Sequence, residues 1–98
     1  MLTLTPTQRR VLRAQAHHLQ PIIMIGNAGL SAAVKKEIDL ALRHHEIIKI
    51  KIASDDRQAR EQMLTEICDD LAAAPVQKIG KTLIVYRAAE EPKIEFPK

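Results

Sequence analysis

Apart from histidine, aromatic side chains are almost missing from this 98-residue chain: there is no tryptophan, and Tyr86 and Phe96 stand alone. Sheet proteins that read single-stranded RNA stack bases on two or three rings of one face, and that mode has no platform here. A single cysteine, Cys68, forbids an internal disulfide and points to a reducing, cytoplasmic setting. Only three glycines and five prolines interrupt the chain, too few for a collagenous or low-complexity sequence. Apolar runs are all far shorter than a bilayer-crossing helix requires, so no membrane partner is expected. The N-terminus also lacks the basic start and apolar stretch of a secretory signal.

What remains is an ordinary globular composition, 46% apolar and 28% charged, at a length that suits one domain. A chain of this size buries roughly 60–70% of its unfolded surface, enough for one core without metal or disulfide. The net charge of +3 is mild, but it is unevenly spread. Residues 1–54 carry eight Lys/Arg against three Asp/Glu, residues 55–70 two against six, and residues 71–98 five against three. A basic body with one acidic segment suggests a polyanion-facing side and a solvent side.

The element order follows from caps and periodicity. Thr5, Pro6 and Gln8 form a capping box with proline at the first helical position, and Leu12, Ala16 and Leu19 continue at helical spacing. Residues 22–25 read as a short buried strand. The sequence Gly26-Asn27-Ala28-Gly29 breaks it, and Ser31 caps a second helix to about His44 with Val34, Ile38, Ala41 and Leu42 inward. Residues 46–52 alternate, with Ile48, Ile50 and Ile52 on one face and Lys49 and Lys51 on the other. Asp55 is expected to start a third helix with Ala59, Met63, Ile67 and Leu71 inward and an acidic outer face turned away from any polyanion; Pro75 is expected to stop it. Two strands, 76–79 and 82–87, flank the hairpin turn Gly80-Lys81.

The resulting pattern, α-β-α-β-α-β-β, predicts an α/β (α+β) two-layer sandwich. Right-handed crossovers and the closing hairpin give a mixed four-stranded sheet of order 1-2-4-3. The apolar strand 82–86 takes a central place and the polar strand 76–79 an edge. Residues 1–88 form the single domain and residues 89–98 a flexible C-terminal tail.

Enzymatic motifs fail one by one. Gly80-Lys81-Thr82 resembles the end of a phosphate-binding loop, but Pro75 stands where the first glycine belongs and a strand follows instead of a helix. His45-Glu46 opens a zinc-protease string whose second histidine would be Lys49. The pairs His17-His18 and His44-His45 diverge by about 100° on a helix and cannot converge on one ion. Cys68 is followed by Asp69 and Asp70, whose charge disfavours a thiolate. No catalytic residue, metal, cofactor or small-molecule substrate is expected.

The strand–glycine turn–helix segment has a chemistry of its own. Gly26 and Gly29 let the backbone turn and approach another backbone closely. The second helix then begins with unpaired N–H groups and the positive end of its dipole, where phosphate is favoured. Lys35 and Lys36 lie one turn inside.

Three segments in order carry a wider resemblance: Ile25-Gly26-Asn27-Ala28-Gly29-Leu30-Ser31; Leu42 with His45-Glu46-Ile47-Ile48-Lys49-Ile50-Lys51; and Ile79-Gly80-Lys81-Thr82-Leu83-Ile84-Val85-Tyr86-Arg87. Over roughly residues 1–88 the chain resembles the YhbY family of CRM (chloroplast RNA splicing and ribosome maturation) domains. The resemblance implies a fold similar to the C-terminal domain of translation initiation factor three, and association with ribosomal RNA of large-subunit precursors. It matches Gly26, Asn27, Ala28 and Gly29 to the family's glycine loop, and Lys49, Lys51 and Lys81 to its basic residues. Lys35, Lys36 and Arg87 complete the expected RNA surface. The expected protein is a non-enzymatic, monomeric RNA binder; the alternative is an adaptor docking on a ribosomal protein or assembly factor.

Overall fold

The computed structural model describes residues 2–96. Its elements are α1 (Pro6–Ala16), β1 (Pro21–Ile25), α2 (Ala32–His45), β2 (Ile47–Ile52), α3 (Arg57–Leu71), β3 (Ala74–Ile79) and β4 (Thr82–Tyr86). The sheet order is β1-β2-β4-β3, with β1 parallel to β2 and the other two pairings antiparallel. The alternation of β2 divides the molecule. Ile48, Ile50 and Ile52 join Ile23, Ile25, Leu83 and Val85 beneath Ile38 and Leu42 of α2 and Leu64, Ile67 and Cys68 of α3. On the opposite face Ile47, Ile84, Tyr86, Ala74 and Val76 pack under Leu12 and Ala16 of α1. The two-layer arrangement thus gains a partial third layer. At roughly 25 cal/mol per Å² of apolar surface, each buried isoleucine contributes about 1.5–3 kcal/mol relative to exposure.

Helix starts follow side-chain chemistry, with one displacement. Thr5 and Gln8 form the reciprocal capping box, at 3.1 and 3.0 Å, and Ser31 accepts the Val34 N–H at 3.1 Å. The cap of α3 is Asp56, not Asp55: its carboxylate accepts from Gln58 and Ala59 at 2.9 and 3.3 Å. Asp55 is left free to face the β3–β4 hairpin. The inner stripe of α3 is likewise rotated from the expected one. Leu64, Ile67 and Cys68 are buried, while Ala59, Met63 and Leu71 only flank them.

Pro75 does not end α3. Ala72 does, in left-handed conformation (φ 53°), donating its N–H to the Cys68 carbonyl. The chain then enters β3 at Ala74, with Pro75 inside an edge strand where a missing N–H is tolerated and the register shifts before Gln77. At the other end of β3, Gly80 has φ +55° while Lys81 has no positive φ, the type II′ geometry of a two-residue hairpin. α2 runs one residue further than expected, to His45, and is closed by Glu46 at φ 62°.

Glu46 also organises the chain beyond β4. Its side chain is buried and accepts backbone N–H groups of Ala89 and Lys93 at 3.4 and 2.7 Å. Ile94 and Phe96 lie against the α1-side core, Phe96 edge-on to Tyr86 with ring centroids 5.9 Å apart. Residues 89–96 of the segment expected as a tail therefore run back along the domain, and the rest of that segment lies outside the described residues.

Candidate nucleic-acid interface

The turn at residues 26–29 closes on a hydrogen bond from the Gly29 N–H to the Gly26 carbonyl, 3.0 Å. Asn27 and Ala28 occupy its exposed tip. The two glycines serve different ends. Gly29 needs its freedom for the fold, because φ is +83°. Gly26 has no positive φ, and a Cβ built there would meet nothing within 4 Å. Its bare backbone faces open space, available to something from outside.

Neighbouring elements gather at this end of the sheet. The Ala53 N–H donates to the Ile25 carbonyl at 2.9 Å and the Ile52 N–H to the Lys81 carbonyl at 2.8 Å, so the glycine turn, the β2–α3 connection and the hairpin tip adjoin. Strand register then builds a row across the open half of the α1-side face: Met24, Lys51, Thr82 and Ile79. The next row places Lys49 beside Ile84 and Gln77. Met24 and Ile79 are more than half exposed.

The cations expected at the interface fall into two groups. Lys36, Lys49 and Lys51 have no ion-pair partner among the described residues. Lys35 is held between Glu66 and Asp70 of α3, at 3.0 and 2.7 Å, and hydrogen bonding to Asp70 and then Glu66 raises its pKa. The Lys81 ammonium pairs with Asp55, whose carboxyl is thereby held below its ordinary range. Arg87 is mostly buried: its guanidinium donates to Asp39 Oδ1 at 2.7 Å, to the Asp39 carbonyl at 3.0 Å and to the Leu71 carbonyl at 3.0 Å. It ties β4 to α2 and to the C-terminal end of α3. The sequence separations of 48 and 16 residues concealed both ties.

The acidic helix and the residue before it account for the pairing of Lys35 and Lys81. α3 and its leading Asp55 meet Lys35, Lys78 and Lys81, with Glu61 accepting from Lys78 at 2.7 Å. The unpaired lysines of β2 project from the opposite face of the sheet. Sequence reasoning missed Arg10 and Arg13 of α1, which are exposed, unpaired among the described residues, and on that same side. Their signal was available: residues 6–16 contain three arginines and no acid.

Cys68 is buried, and desolvation, with Asp69 adding to it, pushes its thiol up to about 11. No group of three His, Cys, Asp or Glu side chains could hold a metal ion, and no helix is long and apolar enough to cross a membrane, among the described residues.

Residues 4–87 match the model of the CRS1 / YhbY (CRM) domain. A Haemophilus influenzae protein named "RNA-binding protein" is 44% identical over 98 residues, covering all of this chain and 99% of that one. A Bacillus subtilis protein named "Probable RNA-binding protein YqeI" is 34% identical over 95 residues, covering 96% and 99%. The solution structure of a Staphylococcus aureus protein superposes with a TM-score of 0.85 at 31% identity, covering 97% of this chain and 100% of that one.

Proposed function

The chain belongs to the CRS1 / YhbY (CRM) family, and from that premise we propose that it is a non-enzymatic RNA-binding protein. It acts as a cytoplasmic monomer on precursors of the large ribosomal subunit and assists their assembly, contacting structured ribosomal RNA chiefly through phosphates. The observation that carries this reading is the exposed glycine turn standing beside unpaired Lys51 at one end of the sheet. Gly26, Asn27, Ala28 and Gly29 form the backbone cradle, Lys36 extends the positive start of α2, and Lys49 and Lys51 continue the surface over the sheet. Lys35 and Lys81 join it only by exchanging a carboxylate for a phosphate. Arg87 is left out of the contact set, since its side chain is mostly buried and three of its donors are committed to Asp39 and Leu71.

A second reading, an adaptor for a ribosomal protein or assembly factor, is favoured by exposed Met24 and Ile79 in the row that holds Lys51. Salt separates the two, because only a polyanion releases counterions. With a large-subunit ribosomal RNA fragment, Lys49→Ala and Lys51→Ala should each reduce the slope of log affinity against log salt by about 0.7–0.9. Asn27→Asp combined with Ala28→Asp should weaken binding and reduce co-sedimentation with large-subunit precursors. Unchanged slopes together with unchanged affinity of the loop variant would refute the RNA reading.

A further inference from the structure

The proposed contact surface leaves one pair of arginines and its surroundings unused. Arg10, Arg13 and His17 line a shallow depression with Ala14 of α1 and Gln77 of β3. No large apolar side chain lines it, and neither arginine has an ion-pair partner among the described residues. A protein-binding patch would need an apolar centre; an exposed guanidinium pair in polar surroundings suits phosphate oxygens. Register connects this cluster to the proposed surface. Gln77 stands opposite Ile84, and Ile84 opposite Lys49, in one row across the sheet. Ile84 is buried in the core cluster that also holds Leu12 and Ala16 of α1, so the helix forms a ridge between Lys49 and the arginines.

We propose that Arg10, Arg13 and His17, with Gln77, form a second phosphate-binding surface, so that RNA is held on both sides of the α1 ridge. This rests on the RNA-binding reading and widens its footprint from the β1 edge to the β3 edge. The acidic α3 face is excluded from it, because α3 packs on the other side of the sheet. The two surfaces together suit double-stranded RNA, whose paired backbones offer phosphates on both sides of a groove.

The test is a salt titration with a mixed-sequence RNA duplex, comparing wild type, Arg10→Gln/Arg13→Gln, and Arg43→Gln/Arg57→Gln. The last variant removes the same charge from exposed positions on α2 and α3. The α1 variant should lower the salt slope by about 1.4–1.8, so that its deficit against wild type is roughly tenfold larger at about 50 mM salt than at about 200 mM. Its melting temperature should stay near that of wild type. The control variant should leave the slope within about 0.5 of wild type. Equal effects of the two variants would reduce the result to net charge and overturn the proposal, as would no effect of the α1 variant. If wild type itself binds without salt dependence, the RNA reading fails first, and that outcome is visible before any variant is compared.

Discussion

Arg87→Ala is expected to cost the protein stability rather than to remove an RNA contact. The side chain is only 19% exposed and its guanidinium makes three hydrogen bonds, one of them to a carboxylate. Charge-assisted hydrogen bonds contribute about 1.5–3 kcal/mol each where they are buried. Asp39 is 31% exposed and can rehydrate, so its share falls toward about 1 kcal/mol. The Leu71 carbonyl lies at the negative end of α3, where a cation adds about 0.3–1 kcal/mol. With about 1 kcal/mol for the bond to the Asp39 carbonyl, the loss comes to about 2–3 kcal/mol, or a melting temperature lower by about 10–20 °C in a domain of this size. Urea unfolding followed by far-ultraviolet circular dichroism measures it. Arg87→Lys should recover less than half, since an ammonium cannot fork to both residues. A double-mutant cycle with Asp39→Ala should show coupling of about 1 kcal/mol. The reasoning fails if Arg87→Ala unfolds within about 0.5 kcal/mol of wild type while losing as much RNA affinity as Lys51→Ala.

The glycine turn separates fold from function: Gly26→Ala should keep the wild-type melting temperature yet lower RNA affinity, whereas Gly29→Ala at φ +83° should cost about 1–2 kcal/mol in thermal melts. In the hairpin, Gly80→Val should destabilise by at least about 1 kcal/mol, because a β-branched side chain is forced to φ +55°, while Lys81→Ala should shift the melting temperature by only about a degree or two. Ala72→Gly should raise the stability in urea by about 0.5–1 kcal/mol by relieving the left-handed end of α3. Acid should act through carboxylates held below their ordinary pKa, Asp39 by its hydrogen bond to Arg87 and Glu61 by that to Lys78. Their stabilisation is present above the unfolded values of 3.8 and 4.5 and is lost as pH falls through the lower folded ones. The melting temperature should therefore hold from neutral pH to about 5 and fall below about 4, and Asp39→Asn should remove part of that fall; a profile that rises on acidification would contradict the assignment.

Local chemistry was enough to read the elements of this protein from its sequence. The capping box at Thr5, the β2 alternation and the two-residue turn at Gly80-Lys81 each involve residues within a few positions of one another, where backbone geometry fixes what can meet. The strand order followed too, because an apolar β4 belongs in the centre of a sheet and a polar β3 can stand at its edge. The exposed turn at residues 26–29 and the outward lysines of β2 were legible for the same local reason. Which cations stay free was decided only in three dimensions. Lys35, Lys81 and Arg87 look alike to Lys36 and Lys51 in the sequence, but the packing of α3 against α2 and the sheet brings carboxylates to the first two, and Asp39 and Leu71 enclose the third. Of the two adjacent carboxylates before α3, Asp56 caps the helix and Asp55 meets the Lys81 ammonium, a division that depends on where the hairpin lies. Charge count is a property of composition, whereas charge pairing depends on distances between elements that are remote along the chain.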